Sequence, residues 1–206
     1  MTTPKAKLAG LALIAALCAG VTLGLTAPAW AGLDEAVAAL KRGDYATAFR
    51  EFRPLAEQGN ANAQYNLGIM YDNGQGVSQD YAGAVKWFRK AAKQGVAEAQ
   101  FELGFMYDKG LGVPQDYAKA LQWWRKAAER GYAKAQSKLG FMYRNGQGVP
   151  QDYVQAHKWY NLVASRLPPG IDRDRAVKNR FIIAKRMTPA QISEAQKLAR
   201  KWKPKK

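Results

Sequence analysis

Residues 80–115, DYAGAVKWFRKAAKQGVAEAQFELGFMYDKGLGVPQ, are followed at once by a near copy, residues 116–151, DYAKALQWWRKAAERGYAKAQSKLGFMYRNGQGVPQ. The Asp-Tyr pair that opens each copy also stands at 44 and 152, so the period is 36 residues. A fixed period of this length marks supersecondary units that stack on one another. Within the unit, Tyr81, Ala84, Val85, Phe88, Ala91 and Ala92 fall on one face of a helix. Asp80 is placed to cap that helix and Gly95 to end it. Ala99, Leu103 and Met106 predict a second helix over 96–107, which stops at Lys109-Gly110-Leu111-Gly112-Val113-Pro114. The expected fold is all-α: helix-turn-helix units in series, each burying its apolar face against the next.

Small residues at Ala84, Ala91, Ala99 and Gly104 leave room for a neighbouring helix. Trp87, Leu103 and Tyr107 are expected to fill it, as a knob and hole repeated between units. Truncating Trp123 or Trp159, if buried, would then cost about 3–5 kcal/mol.

The spaced residues Leu103, Gly104, Met106, Tyr107, Gly110, Gly112, Val113, Asp116, Tyr117, Ala120, Trp123, Lys126, Ala127, Ala128 and Gly131 resemble the Sel-1-like repeat, a relative of the tetratricopeptide repeat. The likeness runs over 44–166, about three units and a partial one, and is of an exported, bacterial-envelope type. It implies a right-handed α/α solenoid that scaffolds protein complexes. It also implies that the LGxMY helices line the concave surface. Tyr65, Ile69, Phe101, Phe105, Ser137 and Phe141 would then face inward, with Asp72, Asp108 and Arg144 one turn on. Asn62, Glu98 and Lys134 would flank the other end. Aromatic and Arg side chains are the usual anchors of protein–protein binding. The partner-binding set expected on these grounds is Tyr65, Ile69, Asp72, Phe101, Phe105, Asp108, Phe141 and Arg144; packing against the adjoining unit is the competing role for each aromatic.

Both edges depart from the period. Lys5 and Lys7, the apolar run Leu8–Leu25, Pro28 and Ala29-Trp30-Ala31 have the three-part order of a secretory signal peptide. Residues 1–31 are therefore expected to direct export to the periplasm or beyond, with cleavage after Ala31; an uncleaved anchor would give the same compartment. Leu17 before Cys18 does not suit lipid modification, and a mature chain without Cys forms no disulfide. Residues 32–43 read as an N-terminal capping helix carrying Ala36, Val37 and Leu40, and Pro54 is expected to kink the helix that follows.

Residues 167–206 read as basic C-terminal capping helices. The first shows Val177, Phe181, Ile182 and Ala184. The second starts at Thr188-Pro189-Ala190-Gln191, carries Ile192, Ala195, Leu198, Ala199 and Trp202, and ends in a frayed tail over 203–206. The formal charge of +16 loses two lysines with the leader, and the rest is uneven. Residues 33–166 hold 18 basic and 13 acidic side chains, whereas 167–206 hold 12 and 3. Arg173, Arg175, Lys178, Arg180, Lys185 and Arg186 offer an alternative function, binding an anionic membrane surface or cell-wall ligand. A solvated, solubilising face is the plainer account of the same charge. Nucleic acid is not an expected partner of an exported chain.

Catalysis finds little support. His157 is the single His, and no Ser begins S-x-x-K or sits in G-x-S-x-G. The loops Gly74-Gln75-Gly76 and Gly146-Gln147-Gly148 follow helices and read as turns, not phosphate cradles. Neither metal nor cofactor is expected. Cysteine-rich relatives are linked to β-lactam binding or hydrolysis, but this chain has one Cys. Three readings remain in that order: a protein- or peptide-binding scaffold, an envelope-surface binder, and a β-lactam-acting enzyme.

Overall fold

The computed structural model describes residues 29–205. Among them are ten helices and no strand: α1 (Ala29–Arg42), α2 (Tyr45–Glu57), α3 (Ala61–Asn73), α4 (Tyr81–Lys93), α5 (Ala97–Lys109), α6 (Tyr117–Glu129), α7 (Ala133–Asn145), α8 (Tyr153–Arg166), α9 (Ile171–Ala184) and α10 (Pro189–Lys201). Each of α1 to α8 packs on the next, α9 packs on α8, and α10 returns to α8. The expected leader lies almost wholly outside the described residues; α1 begins three residues before the expected cleavage point. Ala36 and Ala39 bury one side of α1 against α2.

Backbone accounting explains the helix ends. Asp44, Asp116 and Asp152 accept from the Thr47, Lys119 and Gln155 amides at 3.1, 2.9 and 3.0 Å. Asp80 occupies the same position with extended backbone but makes no such bond, which departs from the expected cap. At the other end of α4 the Gly95 amide donates to the Ala92 carbonyl and the Val96 amide to the Ala91 carbonyl. That paired closure uses Gly95 at φ 91°. The Ala92 carbonyl also accepts from the buried Gln100 amide at 3.0 Å. Gln64 and Gln136 do the same to Ala56 and Ala128. These three glutamines tie the two helices of each unit together through last-turn carbonyls that also accept from the Gly59, Gly95 and Gly131 amides. α2 continues through Pro54 to Glu57 as one element, because the proline sits in its last turns.

Successive units join through an aromatic seated on a glycine. A methyl group on Gly104 would lie 2.6 Å from the Trp124 ring, and Gly68 and Gly140 stand in the same relation to Phe88 and Tyr160. The Trp124 Nε1 donates to the Phe101 carbonyl at 3.0 Å, which keeps its one polar atom satisfied in the core. The expected knob is thus displaced by one residue. Phe88, Trp124 and Tyr160 are fully or almost fully buried; Trp87 and Trp159 are also buried, but Trp123 is only half-buried beneath Lys126. One residue is 100° of helix rotation, enough to move a ring from the seam to the rim.

The C-terminal elements depart more. α9 buries Ala176 and Ile183 against α8, with Val177 and Met187 beside them. Phe181 is 61% exposed and Ile182 39%, so the stripe expected from Val177, Phe181, Ile182 and Ala184 is rolled away from the core. Polar ties hold that roll: Arg180 donates to Asn161 at 2.6 Å and Arg173 to the Ala164 carbonyl at 3.3 Å. α10 follows expectation, with Ala195 and Ala199 buried and the Thr188–Gln191 capping box formed. The tail is not frayed as expected. The Lys205 amide donates to the Glu129 carbonyl at 2.7 Å, its ammonium pairs with the Glu129 carboxylate at 2.8 Å, and Trp202 lies under Arg166.

Candidate inner face

α3, α5 and α7 are the second helices of successive units, so equivalent side chains recur along one surface 36 residues apart. Of the expected binding residues, Tyr65 and Ile69 pack half-buried against the α4–α5 core. The Tyr65 ring stands 6.0 Å from Phe88, and burial pushes its hydroxyl up to about 12. Phe101 is likewise half-buried, its ring 6.3 Å from Trp124 and 5.4 Å from Tyr132. Phe105 and Phe141 remain exposed, at 37% and 38%.

The three charged positions separate. Asp72 is half-buried, and burial raises its carboxyl above the ordinary range. Glu102 nearby is raised first by burial and then by Asp72. Asp108 is only 2% exposed, so it forms no accessible margin. Its Oδ2 lies 3.2 Å from Lys109 Nζ and 3.6 Å from Lys138 Nζ, while its buried Oδ1 has no hydrogen-bond partner. Arg144 stacks on Phe141 at 5.5 Å and donates to Asn179 of α9 at 3.2 Å.

α7 and α9 enclose a groove of about 430 Å³. Its apolar wall comes from Phe101, Phe141, Tyr160 and Leu167, and its polar rim from Lys134, Ser137, Lys138, Arg175 and Asn179. Lys138 Nζ lies 4.6 Å from the Trp124 ring and 5.5 Å from that of Phe141, so its charge hangs over an aromatic floor. Phe101 and Phe141 were expected binding residues and Ser137 and Lys134 expected neighbours; the α9 contributions were not. α9 lies outside the period, so nothing in the repeat could register it.

His157 is buried where α8 meets the cap, and desolvation, then Arg180, lowers its pKa. It packs as expected of a lone histidine. Among the described residues no group of three or more His, Cys, Asp or Glu side chains is placed to hold a metal ion.

The Sel1 repeat family matches residues 61–96, 97–132 and 133–166. These units begin one helix later than units counted from the Asp-Tyr pair, and pair α3 with α4, α5 with α6, and α7 with α8. A Sel1 repeat protein from Oxalobacter formigenes is similar in structure, with TM-score 0.63 and 31% identity over 84% of this chain and 74% of that one. A second likeness, also at 31% identity, is to c5321, described as a protective antigen in uropathogenic Escherichia coli strains displaying an SLR fold. There the TM-score is 0.58, and the match covers 85% of this chain but 45% of c5321. No curated protein matches the sequence. With three matched units over more than half its length and the same stacked architecture, the chain belongs to the Sel1 repeat family.

Proposed function

We propose that the chain is an exported scaffold that binds a protein or peptide segment along the concave face presented by α3, α5 and α7. One observation carries this reading: Phe105 and Phe141 are large, apolar and exposed at equivalent places on successive inner helices. Exposed aromatics in series beside a groove supply anchoring contacts at low entropic cost. Export rests on the leader-like order of residues 1–31. The cysteine framework of β-lactam-linked relatives is unavailable here, because the single cysteine, Cys18, precedes the repeats.

Replacing Phe105 and Phe141 together by Ala should abolish capture of envelope partners by cross-linking while the melting temperature stays within a few degrees. Exposed substitutions ordinarily change stability by no more than about 0.5 kcal/mol. Unchanged capture by the folded double variant would remove this face from the account.

A second reading follows from α9. Ile171 is 73% and Phe181 61% exposed, Lys178 is exposed on the same helix, and Lys185 and Arg186 are exposed just past its end. Apolar and cationic groups interleaved on an exposed helix face suit the surface of an anionic bilayer. Among the described residues no helix is long and apolar enough to cross a membrane, so the contact would be peripheral. Arg173, Arg180 and Arg186 already donate within the protein, which leaves Arg175, Lys178, Lys185 and the apolar pair to make it. Co-sedimentation with vesicles containing phosphatidylglycerol should fall steeply with salt and drop on Phe181→Ser. Salt-independent or absent sedimentation would reject this contact.

A further inference from the structure

The groove beside α7 has a chemical bias that the rest of the inner face lacks. Residues 133–205 carry sixteen basic and four acidic side chains, whereas 33–132 carry thirteen and twelve. The groove therefore opens into the positive half of the rod. Lys134, Lys138 and Arg175 stand on its rim against a single lining carboxylate, Asp172. Neither internal pairing is tight: Lys138 is 3.6 Å from Asp108, and Arg175 is 3.7 Å from Asp172 with both side chains more than half exposed. Between the cations lies the apolar wall of Phe101, Phe141 and Tyr160, in a space of about 430 Å³ that suits one or two side chains.

We infer that this groove takes an acidic peptide segment, with an aliphatic or aromatic side chain on Phe101, Phe141 and Tyr160 and flanking carboxylates on Lys134, Lys138 and Arg175. The inference rests on the peptide-binding reading and names its specificity. Charge also sets the register. Asp72, Glu98 and Glu102 lie toward α3, and Asp72 already raises the cost of ionising Glu102, after burial. An acidic segment shifted one unit toward α3 would meet like charge, which opposes binding. A flat bilayer does not reach the floor of a cleft between α7 and α9.

The test uses the chain without its leader and three labelled hexapeptides: alternating Leu and Glu, alternating Leu and Gln, and alternating Leu and Lys, read by fluorescence anisotropy. The Glu peptide should bind about tenfold more tightly than the Gln peptide, and the advantage should shrink as salt rises. The Lys peptide should not bind. Lys134→Glu with Arg175→Glu, both exposed and off the core, should erase the Glu preference without moving the melting temperature. Phe141→Ala should weaken the Glu and Gln peptides alike. Equal binding of Glu and Gln peptides, still lost in Phe141→Ala, would overturn the acidic preference and leave peptide binding standing. Failure of all three peptides would overturn the inference. The broader reading is then decided separately by the Phe105/Phe141 capture experiment, which makes no assumption about charge.

Discussion

Trp124→Ala should cost about 3–5 kcal/mol of folding stability, measured by denaturant titration. The ring is fully buried, so its removal opens a cavity between α5 and α6 as well as forfeiting transfer energy. It also leaves the Phe101 carbonyl without the 3.0 Å bond it accepts, an additional penalty for a poorly solvated acceptor. The neighbouring Trp123→Ala provides the contrast. Trp123 is half-buried and carries Lys126 over its face at 4.3 Å, so its loss should cost clearly less. Equal costs at 123 and 124 would mean that the seam is not built on the second aromatic.

Gly112→Ala should also be strongly damaging, at about 2–4 kcal/mol. Gly112 sits at φ 66°, where a side chain is strained before it touches anything. The added methyl would also lie 2.4 Å from the Tyr81 carbonyl oxygen. The obstacle is backbone at the start of α4, which cannot rotate away as a side chain might. The loop after α5 therefore closes onto the head of α4, and the second glycine of the GxG turn exists for that contact. A shift in thermal melting of less than a couple of degrees in Gly112→Ala would show that this loop stands clear of α4.

Much of this architecture was legible in the 36-residue period, because helix lengths, caps and turns repeat with it. The identity of the knob was not. Trp123 and Trp124 are adjacent and chemically alike, and only the exact roll of α6 decides which ring meets Gly104. Gln64, Gln100 and Gln136 recur at the same period inside an apolar pattern, so their clamping role had a signal in the sequence. α9 lacked one: apolar residues from Ala176 to Ala184 surround more than one face, and polar ties to α8 choose among them. Docking of the tail was equally hidden, since Lys205 meets Glu129 through both main chain and side chain in a segment that looks solvated. The repeat sets Phe101 and Ser137 one period apart, and likewise Phe105 and Phe141. It could not show that Asp108 turns inward to Lys138 while Arg144 reaches α9.

Proton NMR of the folded chain reaches the central claim, that each helix pair counted from the Asp-Tyr motif is seated on the next by an aromatic ring over a glycine. The Hα resonances of Gly68, Gly104 and Gly140 should be displaced by ring current and show nuclear Overhauser contacts to Phe88, Trp124 and Tyr160 respectively. Ordinary glycine shifts with no such contacts would contradict the stacked arrangement.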